Sequence, residues 1–157
     1  MLPKLRENPH TTSNLLSLFI NQRKNKSIIL TIMKRIINTK NAPAAIGPYS
    51  QAIEANGTLY ISGQIPMNPA TGELVENEIT AQTEMVMKNI EAILTEAGYT
   101  FADVVKSTCL LSDMSNFAAM NEVYGSRYTE NPPARAAYAV KGLPLGVLVE
   151  IETIAVK

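Results

Sequence analysis

The sequence predicts an α+β fold, one mixed sheet with two helices packed on a single face. Three observations carry that expectation. Asn56-Gly57 stands between two apolar runs, the strongest short signal for a hairpin. Two segments repeat apolar residues at helical spacing along one side only, and each is flanked by strand-like runs. The C-terminal run Val147-Leu148-Val149-Glu150-Ile151-Glu152-Thr153-Ile154-Ala155-Val156 sets two carboxylates among apolar residues at a period of two.

Taken in order, the first strand is expected over 34–39, followed by a Pro/Gly loop to Tyr49. The hairpin follows, with arms at 50–55 and 58–62. A loop over 66–76 carries its own turn residues, Asn68-Pro69 and Thr71-Gly72. The first helix spans about 78–97, with Asn77 as N-cap, Gly98 as the stop, and Ile79, Val86, Ile90, Ile93, Leu94 and Ala97 along its buried side. A strand at about 103–111 precedes a second helix at about 115–128, whose inner face holds Phe117, Met120, Tyr124 and Tyr128. Strands at 135–140 and 147–156 close the domain, joined through Gly142-Leu143-Pro144. The helices cover one sheet face. Apolar residues on the other face of the last strand would stay wet in a lone subunit, so oligomerisation is expected on physical grounds.

Composition narrows the chemistry. At 157 residues, 46% of them hydrophobic, the chain is one domain's worth and buries about two-thirds of its unfolded surface without staples. The single cysteine, Cys109, excludes an internal disulfide and sits in an apolar run, where a structural thiol is expected rather than a nucleophile. The only histidine is His10, so no Cys-His or Ser-His pair forms within the domain.

Charge is divided unevenly. Residues 1–32 hold five basic and one acidic side chain, net +4, whereas 33–157 hold nine basic and thirteen acidic, net −4. An acidic domain without a basic cluster is a poor grip for a phosphodiester backbone, so nucleic acid is disfavoured as a partner. The apolar clusters of residues 1–32, Leu15–Ile20 and 28–32, fall short of the ~20 residues of a membrane span. Arg23-Lys24-Asn25-Lys26 between them is also wrong for a secretory leader. We read 1–32 as an extension outside the domain, Met33 as the start, and the cytoplasm as the location. An organelle presequence is the alternative, because the stretch is basic and poor in acids.

The candidate site residues are few. Arg135 is a lone charge in Asn131-Pro132-Pro133-Ala134-Arg135-Ala136-Ala137-Tyr138, and its fork of donors is either paired internally or open to an anionic ligand. Glu150 and Glu152 share one strand face, about 7 Å apart. The run Thr58-Leu59-Tyr60-Ile61-Ser62-Gly63-Gln64 is read as a strand ending in a small polar turn. Arg135, the two glutamates and this turn are expected to line one anion pocket.

Ala42-Pro43-Ala44-Ala45-Ile46-Gly47-Pro48-Tyr49-Ser50-Gln51, Ile61-Ser62-Gly63-Gln64-Ile65-Pro66, Pro133-Ala134-Arg135 and Val149-Glu150-Ile151-Glu152 stand in the order and spacing of the Rid family, also called YjgF/YER057c/UK114. The chain most resembles its RidA branch, the 2-iminobutanoate/2-iminopropanoate deaminases, from about Met33 to Lys157. The resemblance implies a chorismate-mutase-like fold, a homotrimer with clefts between subunits, and hydrolysis of 2-imino acids or their enamine tautomers to 2-oxo acids and ammonia, with no metal or other cofactor. It assigns the substrate carboxylate to Arg135 and water activation to Glu150. Tyr49 and Ser62 would line the cleft, Gly63 would offer backbone contact, and Asn121 would reach in from the second helix. Ala137 stands where many members carry cysteine, and only backbone groups are expected to act there. Glu152 is read as an interface partner. Burial beside Leu148 and Ile154 is expected to raise the Glu150 pKa toward a useful range. Two other readings stand beside the deaminase: an endoribonuclease or translation inhibitor, and a binder of small carboxylates without turnover.

Overall fold

A computed structural model describes residues 34–157, so the expectations for 1–32 and for Met33 as a start lie outside the described residues. Six strands form one sheet in the order β1-β2-β3-β6-β4-β5. They are β1 (Lys34–Ile37), β2 (Ala52–Ala55), β3 (Thr58–Gln64), β4 (Val104–Leu111), β5 (Ala134–Ala139) and β6 (Val149–Val156). All pairs are antiparallel except β4 with β5, which makes the sheet mixed. Two helices, α1 (Ile79–Ala97) and α2 (Phe117–Ser126), share one apolar core with the sheet. The expected α+β layering holds.

The β2–β3 hairpin turns at Asn56 (φ 51°) and Gly57 (φ 74°), the two left-handed residues of a type I′ turn. Gln64 ends β3 two residues beyond the expected turn, and the ladder to β6 slips between Ile61 and Gln64. Ser62 and Gly63 therefore sit in a bulge, a device that re-aims side chains beside a site. They are not a strand-ending turn.

Helix α1 departs from expectation at its first residue. Its N-cap is Glu78, whose two carboxylate oxygens accept from the Thr80 and Ala81 amides at 2.9 and 2.8 Å. These bonds hold the Glu78 pKa below its ordinary value, and the negative charge suits the helix N-terminus. The Asn77 carboxamide instead accepts from Gln82 Nε2 at 3.3 Å. At the other end Gly98 adopts φ 83°, the left-handed stop that its position predicts.

The buried faces follow the predicted stripes, with Val86, Ile90, Ile93, Leu94 and Ala97 of α1 and Met120 and Tyr124 of α2 packed in the core. Ile79 and Phe117 pack partly buried against it. A 3-10 turn at Met114–Asn116 replaces the expected first turn of α2.

Along β6, Val149, Ile151, Thr153 and Ala155 are buried, while Glu150 and Ile154 are half-buried and Glu152 and Val156 exposed. The even-numbered residues thus line the face away from the core. Register puts Ile36, Ile53, Tyr60 and Ile154 side by side across four strands on that face. Ile36 is 64% exposed and Tyr60 51%. This is the wet apolar row that the sequence leads one to expect.

Candidate active site

Tyr49, Ser62, Gly63 and Glu150 line a single cleft of about 440 Å³, together with Ile46, Ile65, Pro144 and Leu145. Each arrives by a different local device. The Tyr49 amide donates to the Gly47 carbonyl at 2.8 Å, a tight turn that leaves the ring outside the core rather than capping it. Ser62 is tied down twice, its amide donating to the Gln51 carbonyl at 3.0 Å and its hydroxyl to the Ser50 carbonyl at 2.7 Å. The hydroxyl oxygen keeps lone pairs to accept from a ligand. Glu150 reaches across from β6 to the bulge. A methyl group built on Gly63 would lie 1.9 Å from Glu150 Oε1, so the carboxylate occupies the place of the missing side chain.

Burial, and then the nearby charge of Glu152, push the Glu150 pKa above its ordinary value, in the expected direction. Such a carboxylate is a better proton acceptor than an exposed one.

Arg135 lies elsewhere. Its guanidinium carbon is 4.7 Å from the Tyr124 ring centre and 5.6 Å from that of Phe117, so it sits on the helix face of β5. Burial raises the Tyr124 pKa, so the phenol stays neutral and leaves the arginine its full charge. Among the described residues no ion pair includes Arg135, and the internal salt bridge is not made. Ala137 follows on the same face, against the core. Asn121 is exposed on α2, one turn after Phe117.

The single pocket expected from Arg135, Glu150, Glu152 and Ser62 is therefore not formed within one chain. Arg135 pairs with Ser107, and Ser107 with Thr153, which puts the arginine two strands from β6, about 10 Å, and on the opposite sheet face from Glu150. Alternation along the strands decides this. Positions 135, 107 and 153 share one face and 150 the other. Glu152 borders a second, shallower depression with Lys34, Tyr60 and Ser62.

Sequence reasoning missed the buried polar side chains that hold the cleft's loops. Gln51 accepts from the Thr39 amide at 2.7 Å and donates to the carbonyls of Thr39, Ala42 and Pro43. Gln82 Oε1 accepts from the Leu148 amide at 2.8 Å, two residues before Glu150. Asn89 donates to the Ile65 and Met67 carbonyls at 3.1 and 3.0 Å. A signal existed: Gln82 and Asn89 fall on the same helical stripe as Val86 and Ile93. Cys109 is fully buried, its thiol pushed by desolvation to about 11, which fits a structural role.

Comparison with known proteins bears on the family and the fold. The family model described as Endoribonuclease L-PSP matches residues 39–157. A RutC family protein of Pyrococcus horikoshii is 55% identical over 125 residues, covering 80% of this chain and 99% of that protein. The mouse protein named 2-iminobutanoate/2-iminopropanoate deaminase is 47% identical over 127 residues, covering 81% of this chain and 94% of its own. Among solved structures, a Rid-family protein of Yersinia pestis superposes with a TM-score of 0.78 at 52% identity, covering 80% of this chain and 100% of the other. With fold, motifs and relatives in agreement, the chain belongs to the Rid family, the one whose model is described as Endoribonuclease L-PSP.

Proposed function

We propose that this protein is a hydrolytic deaminase of 2-imino acids, with its active site completed between copies of the chain. The observation that supports the reading best is Glu150, a half-buried carboxylate of raised pKa seated over Gly63 in a cleft with Ser62 and Tyr49. Arg135 supplies the second requirement. Among the described residues it is a fork without an ion-pair partner on an aromatic cradle, suited to a substrate carboxylate. Since one chain sets the two on opposite faces, Arg135 of a second copy would meet Glu150 of the first. The apolar row on the open sheet face is the surface for such an assembly, and a homotrimer with clefts between subunits satisfies it.

The chemistry is balanced by water alone. Glu150 takes a proton from water as the water oxygen adds to C2 of the protonated imine, and the C=N π pair moves to nitrogen. The carboxyl group then returns that proton to the nitrogen of the carbinolamine, the C–N bond breaks with its electron pair leaving on ammonia, and the hydroxyl proton passes to the ammonia, which departs as ammonium and leaves the C2 carbonyl of a 2-oxo acid. Because the iminium carbon is already electrophilic, the protein's work is placing the carboxylate and the water and moving protons.

The test is direct. Form 2-iminopropanoate and 2-iminobutanoate in situ, trap them with semicarbazide, and follow whether the protein speeds their loss. Arg135→Ala should raise KM at least about a hundredfold, the loss of two charge-assisted hydrogen bonds, and Arg135→Lys should recover little of it. Wild-type protein that leaves both imines at the uncatalysed rate would refute the proposal. RNA cleavage by the same sample would favour the endoribonuclease reading.

A further inference from the structure

The cleft that holds Glu150 is also lined by large apolar side chains that have no core to join. Leu145 is 65% exposed and Ile46 80%, and Ile65 and Pro144 line the cleft with them. Leu145 is also held in an unusual backbone state. It adopts φ 56° and ψ 15°, the left-handed region where glycine and asparagine are at home and a leucine is strained. Gly146 follows at φ 70°, and the turn is closed by the Gly146 amide donating to the Leu143 carbonyl at 3.1 Å. A strained turn that carries an exposed leucine on the rim of a cleft points to use of that side chain.

The geometry points to Leu145 as a specificity-determining residue, whose side chain, with Ile46, receives the aliphatic side chain of the substrate. This inference rests on the deaminase reading for the identity of the ligand. Two features set the preference. Among the described residues lining the cleft none is basic, and Arg135 of the second copy is taken up by the head-group carboxylate, so a second carboxylate on the substrate would meet Glu150 without a counter-charge. The lining sets the other: Ile46, Ile65, Pro144 and Leu145 give the cleft an aliphatic wall. Substrates with uncharged aliphatic side chains of three or four carbons cover that wall best, and dicarboxylic ones are rejected.

The experiment measures binding rather than turnover, so it separates this inference from the deaminase reading. Pyruvate, 4-methyl-2-oxopentanoate and 2-oxoglutarate carry the product's head group with a methyl, a branched aliphatic and an acidic side chain, and their Kd values are obtained by calorimetry on the full chain. The wild type should bind 4-methyl-2-oxopentanoate most tightly and 2-oxoglutarate most weakly. Leu145→Asn keeps a residue that tolerates the left-handed backbone, and it should cut the preference for 4-methyl-2-oxopentanoate over pyruvate by about tenfold. The proposal is overturned by an unchanged ratio, by tightest binding of 2-oxoglutarate, by no binding of any of the three, or by a variant that elutes from size exclusion as a smaller assembly. The last result would assign Leu145 to an interface. Selective binding without imine turnover would sink the deaminase reading and leave this one standing.

Discussion

Gly63 illustrates how one missing side chain serves the site. A Cβ there would meet the Glu150 carboxylate at 1.9 Å, and because that group is the far end of a side chain, the carboxylate would move rather than the backbone. Gly63→Ala should therefore keep the melting temperature while kcat falls at least about tenfold, the usual scale for displacing a general base. An unchanged kcat would show that the position of Glu150 over Gly63 is not the working one. Glu152 acts on the same group through charge. Burial is the larger cause of the raised Glu150 pKa and Glu152 the second, so Glu152→Gln removes only the smaller part. Glu150 must be ionised to accept a proton, hence the acid limb of the kcat profile should move to lower pH in Glu152→Gln. A shift to higher pH would contradict the sign of this coupling. These geometries were not legible in sequence, where Gly63 is one small residue among several and only the expected rise in the Glu150 pKa was readable.

At the scale of elements, buried amides connect the helix to the cleft. Asn89 of α1 is 1% exposed and supplies both hydrogen bonds to the Ile65 and Met67 carbonyls, and Ile65 is part of the cleft wall. Replacing it by alanine leaves two acceptors unsatisfied, and we expect a loss of about 1–3 kcal/mol in urea unfolding. A midpoint within error of wild type would mean that water replaces the amide without cost. The helix itself was readable, since its apolar stripe and Gly98 stop are local patterns. The Asn89 bonds were not, because they join residues 24 and 22 positions apart. The N-cap shows the limit within a single turn: Asn77 and Glu78 are both able to cap, and the chain's path chooses Glu78.

For the whole molecule, the separation of Arg135 from Glu150 across the sheet makes a strong prediction. On the deaminase reading, variants Arg135→Ala and Glu150→Gln, each strongly impaired alone at low substrate, should regain measurable activity when unfolded together and refolded as a mixture, because some clefts then hold an intact arginine from one copy and an intact glutamate from another. Failure of the mixture to exceed the sum of its parts, with mixed assemblies confirmed by native mass spectrometry, would place the site within one subunit. The open face with Ile36, Ile53, Tyr60 and Ile154 is the expected seam. Among the described residues no helix is long and apolar enough to cross a membrane.

The sequence by itself determined the type and approximate chain position of each strand and both helices, the Asn56-Gly57 hairpin, the buried thiol of Cys109 and the four motifs that mark the family. These are properties of periodicity, turn chemistry and local spacing, and they survive without knowledge of the partner strand. Only the tertiary structure decided which candidate residues share a cleft. Strand order and register set Ser107 between Arg135 and Thr153, and the two-residue alternation of β6 then turns Glu150 to the other face. A bulge between Ile61 and Gln64 brought Gly63 beneath Glu150, and a left-handed turn at Leu145 set an apolar side chain on the same cleft. The physical reason is that strand pairing is non-local: the face a side chain takes is fixed by its register against residues far along the chain, which spacing within a single motif does not encode.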